Sequence, residues 1–315
     1  MLLIRNGNLV DTVAGRVEEK DVLIEGENVK ALEPWGKLEA PNGCRVIDAR
    51  GKLVVPGLMD MHVHLREPGE EYKETIETGS MAAAAGGFVA VASMPNTKPA
   101  NDNASVTQFI IKRSREVGLI RVFPIASITV GQKGERLSEF GELREAGAVG
   151  VSDDGRCVVN SELMRRAMEY ASFFGLRVIS HCEDHNLSEG GQMHEGVVST
   201  KLGLRGIPAE AEEIMVFREI ALSKLTGLPV HIAHVSTKGS VELIRWAKSM
   251  GIEVTAETAP HYFALDHREI EGYNTLAKVN PPLRSEEDRE AIKTGLREGV
   301  IDVIATDHAP HSPLE

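Results

Sequence analysis

From Leu53 onward the chain alternates short apolar runs with longer amphipathic stretches, and this alternation restricts the fold more than any other property of the sequence. Eight candidate strands occupy residues 53–64, 87–95, 120–127, 147–153, 176–182, 229–235, 252–258 and 301–307. Amphipathic stretches at 75–85, 105–117, 161–174, 209–225, 240–249 and 285–297 separate most of them and predict helices. A parallel strand pair needs a crossover of about a dozen residues or more, and a helix supplies it. Eight such units favour a closed (β/α)8 TIM barrel over an open, doubly wound sheet. Residues 1–52 have a different texture, with short strands and the turn signals Asn6-Gly7 and Glu25-Gly26, and predict a small, sandwich-like β unit. The expected organisation is a β unit over 1–52 and a barrel over 53–315. Residues 183–208, rich in glycine and without helical period, predict a long loop at a strand's carboxyl end. Such a loop suits substrate contacts or a solvated insertion equally.

With 42% hydrophobic and 26% charged residues, the 315-residue chain can bury one large α/β core with a smaller appendage. A net charge of −12 disfavours any general hold on nucleic acid phosphates or anionic lipid, so a small molecule or a protein is the expected partner. Cys44, Cys157 and Cys182 form no short-spaced pair, which argues for a reducing compartment, with the cytoplasm as the expected location. Met1-Leu2-Leu3-Ile4 meets Arg5 too soon for a signal peptide, and Met81 to Met94 is too short to span a bilayer, so no membrane role is expected.

Potential metal donors recur at the carboxyl ends of the predicted strands. His62 and His64 close the first, and in an extended strand residues i and i+2 share a face, so both imidazoles can reach one ion. By themselves they would equally suit the solvent edge of a strand. Asp153-Asp154 ends the fourth strand, His181 the fifth, His234 the sixth and Asp307 the eighth. In a (β/α)8 barrel those ends share the catalytic face, so the donors are expected to hold one or two divalent ions, with a carboxylate between them. Imidazole and carboxylate without thiolate suit zinc, with manganese or cobalt as alternatives. His231, three residues before His234, is expected to face away from the barrel interior if His234 faces into it. By the same alternation His308 is expected to be structural beside Asp307, and Cys182 to pack as a small hydrophobe. His185, His194 and His267 read as solvated, and His261 as packing at the end of the seventh strand.

Taken together, His62-Val63-His64-Leu65-Arg66, Met94-Pro95-Asn96-Thr97, Ser152-Asp153-Asp154-Gly155, His181-Cys182-Glu183-Asp184, His234-Val235-Ser236-Thr237, Asn280-Pro281-Pro282-Leu283-Arg284 and Ala305-Thr306-Asp307-His308-Ala309-Pro310-His311 resemble dihydroorotase. The resemblance is to the bacterial and archaeal type of that enzyme within the amidohydrolase superfamily. It implies a metal-bearing barrel that interconverts dihydroorotate and N-carbamoyl-L-aspartate in de novo pyrimidine biosynthesis. It further implies His62, His64, His181 and His234 as ligands, Asp154 as the carboxylate able to bridge two ions, and Asp307 as ligand and proton shuttle. Arg66, Asn96 and His311 would hold the substrate's carboxylate, and Asn280 its ring amide.

Hydantoinases, dihydropyrimidinases and allantoinases share the barrel and the histidine pair, but usually place a carboxylated lysine near the end of the fourth strand. Gly150-Val151-Ser152-Asp153-Asp154-Gly155 holds no lysine. A noncatalytic scaffold beside aspartate transcarbamoylase is the other alternative, and such chains typically lose ligands that this one keeps. The resemblance also implies a homo-oligomer and aspartate transcarbamoylase as a candidate partner. Relatives continue past the position of Glu315 through a closing helix and strands, so exposed apolar surface is expected where those would pack.

Overall fold

The computed structural model describes residues 1–314. They fall into two compact units, Met1–Leu58 and the residues from Met59 onward.

The first unit is a sheet of β1 (Leu2–Asp11), β2 (Arg16–Glu25), β3 (Asn28–Pro34), β4 (Arg45–Asp48) and β5 (Leu53–Val54). The order is β3-β2-β1-β4, and β5 also pairs with β1. Leu3, Val22 and Leu23 are buried, whereas Val29, Leu32, Val46 and Ile47 are exposed. The predicted strand 53–64 is two strands. Leu53 and Val54 pair with Asn8 and Leu9 of the small sheet. Pro56, which has no N–H for a ladder, and Gly57 interrupt the chain before the first barrel strand begins.

The second unit is a nearly closed barrel of eight parallel strands. Its first five are β6 (Leu58–Val63), β7 (Phe88–Ser93), β8 (Arg121–Ala126), β9 (Gly150–Ser152) and β10 (Arg177–Ser180). After a two-stranded excursion, β11 (Met193–His194) with β12 (Gly206–Ile207), follow β13 (Val230–Ile232), β14 (Val254–Thr258) and β15 (Val303–Ile304). The barrel order is β6-β7-β8-β9-β10-β13-β14-β15. A parallel bridge from Val63 to His308 spans the seam between the first and last strands, where the His64 N–H donates to the His308 carbonyl at 2.8 Å. Asp60 reinforces the seam: its carboxylate accepts from the His62 and Thr306 N–H groups, both at 3.1 Å, and from the Thr306 hydroxyl at 2.5 Å.

Six helices cover the predicted stretches to within two residues: α1 (Ile76–Ala85), α2 (Ala104–Val117), α4 (Ser161–Phe173), α7 (Glu210–Thr226), α8 (Lys238–Ser249) and α10 (Glu286–Arg297). Their starts are written in the sequence, since Asn103, Asn160, Thr237 and Ser285 each accept from backbone N–H groups of the first turn. The short α3 (Phe140–Ala146), α5 (His185–Ser188), α6 (Val197–Leu202) and α9 (Pro260–Ala264) carry too few turns to show a period.

Period-two alternation sorts the strand residues between two cores. Ala126, Val151, Val178, Val230, Ile232, Val254 and Ala256 join the main cluster formed with the helices. Their alternates Ile125, Ile179 and Ala233 form a separate cluster with Met94, inside the barrel. Residues 183–208 are neither an irregular loop nor a solvated insertion. Met193 and Val198 bury against Tyr262, Ile270, Ala277 and Leu283, contributed by the distant segment 260–283.

One glycine fixes the loop that follows β6. Gly69 sits at φ +98°, and a Cβ there would lie 1.9 Å from the Lys98 carbonyl oxygen. The Lys98 N–H already donates to the Pro68 carbonyl at 2.9 Å, which locks the two loops together. Gly69→Ala is expected to destabilise by about 1–3 kcal/mol, read as a lower urea midpoint with an unchanged m-value.

Candidate metal centre

The alternation that builds the barrel also aims its donors. Val63 packs against Ile76 and Val91 on the helix side of β6, so His62 and His64 point inward. Asp154 and His181 follow the inward phase set by Ser152 and Ile179. His234 does not follow alternation, because Ala233 already faces inward. It reaches the interior through a backbone φ of +34°, and Arg66 and Asp307 likewise stand at +61° and +50°. These are conformations that L-residues adopt at a cost.

The donors converge on Asp154. Its Oδ1 lies 3.3 Å from His62 Nε2 and from His234 Nε2, and 3.7 Å from His181 Nδ1. Its Oδ2 lies 3.4 Å from His64 Nε2. Two groups of potential ligands therefore share this carboxylate, His62–His64–Asp154 and Asp154–His181–His234, all buried. Asp307 adds a second carboxylate, 3.1 Å from His64 Nε2 and 3.5 Å from His62 Nε2.

Buried polar groups around the cluster orient the rings. His62 Nδ1 meets Glu257 Oε1 at 2.6 Å, His64 Nδ1 meets Asn96 Oδ1 at 2.8 Å, and His181 Nε2 meets Glu183 Oε2 at 2.7 Å. In each case an oxygen acceptor draws the ring hydrogen away from the centre, leaving the opposite nitrogen's lone pair facing inward. His62 Nε2 has no hydrogen-bond partner of its own despite full burial. Burial disfavours a charged His62, yet Asp154, Glu257 and Asp307 outweigh it and raise its pKa well above the ordinary range. Likewise His181, despite its burial, is pushed up to about 9 by Asp154 and Glu183. Burial would raise Asp154, but the charge on His62 and bonds from His181 and His234 hold it well below the carboxylate range. The surroundings thus favour positive charge between these lone pairs. The donor set fits one or two divalent cations, with zinc suited to its nitrogen and oxygen chemistry.

Above this cluster lies a cavity of about 340 Å3, lined by His64, Asp154, His181, His234 and Asp307 together with Arg66, Asn96, Asn280 and His311. Every site residue expected from the sequence except the deeper His62 reaches it. Arg66 is buried and its Nε donates to the Pro310 carbonyl at 3.2 Å. Asn280 Nδ2 donates to Glu183 Oε2 at 3.1 Å. His261 and Lys278 also line the cavity.

Several neighbours differ from expectation. His231 lies inside the barrel, between the outward-facing Val230 and Ile232, so both it and His234 face inward. His185 is not simply solvated, since its Nε2 accepts the Cys157 N–H at 2.9 Å. His194 is partly buried against Arg284, and burial together with that guanidinium pushes it down to about 4. Asp153 turns away from the donors and accepts from the Thr129 N–H and hydroxyl, while burial pushes it up to about 6. His308, expected to be structural, pairs with Glu74 at 2.8 Å. Glu257 and Glu183 were not singled out from sequence. Glu257 had a signal: it occupies the inward phase of Val254-Thr255-Ala256-Glu257, a carboxylate where a barrel strand should be apolar.

The value of His194 sets a pH dependence. Its folded pKa of about 4 lies below the ordinary 6.5, so the unfolded chain binds more protons between them. This contribution to stability is complete above pH 6.5 and is lost as pH falls towards 4. His194→Gln is expected to flatten the urea midpoint across that window, and an unchanged slope would contradict the assignment.

Residues 51–240 match the family described as dihydro-orotase-like. Over 315 residues the chain is 59% identical to the dihydroorotase of Pelotomaculum thermopropionicum, covering 100% of this chain and 73% of that protein. Over 310 residues it is 58% identical to the dihydroorotase of Pelobacter propionicus, covering 98% of this chain and 73% of that one. Among solved structures, the L-hydantoinase (dihydropyrimidinase) of Arthrobacter aurescens superposes with a TM-score of 0.83 at 25% identity, over 98% of this chain and 69% of its own. A D-hydantoinase from Thermus sp. gives 0.77 at 26% identity, over 99% and 70%.

Proposed function

The chain belongs to the dihydroorotase family, a family of metal-dependent cyclic amidohydrolases, and from that premise we propose how its residues divide the reversible hydrolysis of dihydroorotate to N-carbamoyl-L-aspartate. The observation that carries the proposal is the meeting of the Asp154-centred donors with Arg66 in one cavity. His62, His64, Asp154, His181, His234 and Asp307 would hold one or two zinc ions. Divalent cations bound there supply Lewis acidity towards a carbonyl and make water acidic near neutral pH.

Asp307 is the group placed to move the proton. Its carboxylate faces the cavity beside His64, so it can take a proton from the attacking water and return it to the departing ring nitrogen. The same carboxyl acts as base and then as acid. Arg66 presents a planar fork to the substrate's carboxylate, a charge that a hydantoin ring does not carry. Asn96 and His311 line the same cavity and are assigned as partners for that carboxylate, and Asn280 is assigned to the ring amide. Asn96 has a further duty, since its Oδ1 fixes the His64 ring. The lysine-bearing hydantoinase alternative finds no support at Gly150–Gly155, and the scaffold alternative is disfavoured by the complete donor set.

We further propose a homo-oligomer and association with aspartate transcarbamoylase, as the family resemblance implies. The three free cysteines suit a cytoplasmic location, and among the described residues no helix is long and apolar enough to cross a membrane.

The test is turnover of dihydroorotate and carbamoyl aspartate by the purified protein, lost on chelation and restored by zinc, with hydantoin and allantoin as controls. Preference for either control over dihydroorotate would overturn the substrate assignment. Asp307→Asn is expected to lower kcat by about 10²–10⁴-fold while leaving the circular dichroism spectrum unchanged. Near-native turnover in that variant would refute the proton-transfer role. Arg66→Ala is expected to raise KM for dihydroorotate by roughly 10–100-fold, and far less for an uncharged cyclic amide.

A further inference from the structure

Glu257 belongs to no part of the reaction described so far, yet it is a fully buried carboxylate in direct contact with a candidate ligand. It projects inward from β14, a barrel strand that supplies none of the donors, and its two oxygens have different partners. Oε1 takes His62 Nδ1 at 2.6 Å, and Oε2 lies 3.3 Å from His231 Nε2. His231 Nδ1 in turn meets the Thr255 hydroxyl at 2.9 Å, two residues before Glu257 on the same strand. Glu257 and His231 are 1% and 4% exposed, so water cannot substitute for these contacts.

We propose that Glu257 is a positioning residue for one half of the metal centre, fixing His62 in the tautomer and rotation that present Nε2 to Asp154, with His231 and Thr255 holding the carboxylate in place. The chemistry follows from the contacts. A carboxylate accepts, so the His62 hydrogen resides on Nδ1 and the Nε2 lone pair faces the donor cluster. The negative charge of Glu257 also makes that ring a stronger base towards a cation. Thr255 can donate to His231 Nδ1, which leaves the His231 hydrogen on Nε2, 3.3 Å from the Glu257 carboxylate although not aligned for a hydrogen bond. His231 is therefore explained as part of this chain, although its place in the sequence suggested no inward role.

The arrangement is selective between the two donor groups. His62 belongs to the group with His64 and Asp154, whereas His181, in the group with His234, is oriented by Glu183. Glu257 thus acts on the His62–His64 side alone, and Glu183 serves the other side through His181. A residue that merely filled the barrel would affect both sides alike.

The inference rests on the metal centre proposed above, and zinc titration against a chromophoric chelator tests the two separately. Wild-type protein stripped of metal should take up zinc with resolvable affinity, and failure to do so would overturn both readings. In Glu257→Gln, which keeps the volume but removes the charge, one zinc affinity should fall by about 10–100-fold while the other is retained. Glu183→Gln should weaken the complementary affinity, and the double variant should weaken both. Unchanged affinities in Glu257→Gln, or an equal fall in both, would overturn the positioning role and leave the metal centre standing. Should Glu257→Gln fail to fold, His231→Gln gives the second reading, because it leaves the contact between His62 and Glu257 intact. A smaller loss at the same affinity supports the chain, and no change overturns it.

Discussion

A carboxylate buried among four imidazoles is the interaction on which the site depends. Asp154 has few solvent contacts, so its charge must be met by neighbours within the barrel. Those neighbours come from β6, β10 and β13, and their approach requires that the strands hold their register at the carboxyl end. β10 and β13 are neighbours and β6 reaches the cluster because the sheet curls into a barrel, and the convergence also concentrates negative charge at Asp154 and Asp307. A cation shared between the lone pairs answers both demands: it neutralises the carboxylates and satisfies nitrogens that would otherwise face one another.

Much of this was legible in the sequence because it follows a period of two. His62 and His64 could be placed on one face from spacing alone, and the apolar runs behind His181 and Asp154 marked them as strand ends. Helix starts were equally local, since a capping side chain lies within three residues of the N–H it satisfies. The parts that escaped were those that local pattern does not encode. His234 enters the barrel by breaking alternation, so the argument that set it against His231 chose one residue where the fold uses both. Residues 183–208 looked structureless because the partners of Met193 and Val198 lie more than 60 residues away, at Tyr262, Ile270 and Leu283. Glu257 escaped because an acidic residue in a strand usually signals an exposed face.

The family assignment and the geometry answer different questions. Identity of 59% over the whole chain names the chemistry, whereas likeness to hydantoinase structures reports the shared barrel at 25% identity. At the end of β9 stands the carboxylate of Asp154, and Arg66 adds a fixed positive charge at the cavity wall. The scaffold is common to both, and the proposed specificity rests on side chains that the strands merely deliver.

Of the six non-glycine residues with positive φ among those described, three are Arg66, His234 and Asp307. Each such residue costs of order 1–3 kcal/mol relative to a relaxed backbone. Selection for thermal stability alone would therefore favour glycine or asparagine at these positions, and each gain would remove a guanidinium, an imidazole or a carboxylate from the cavity. At these three cavity positions, stability and the chemistry of the cavity therefore pull the sequence in opposite directions.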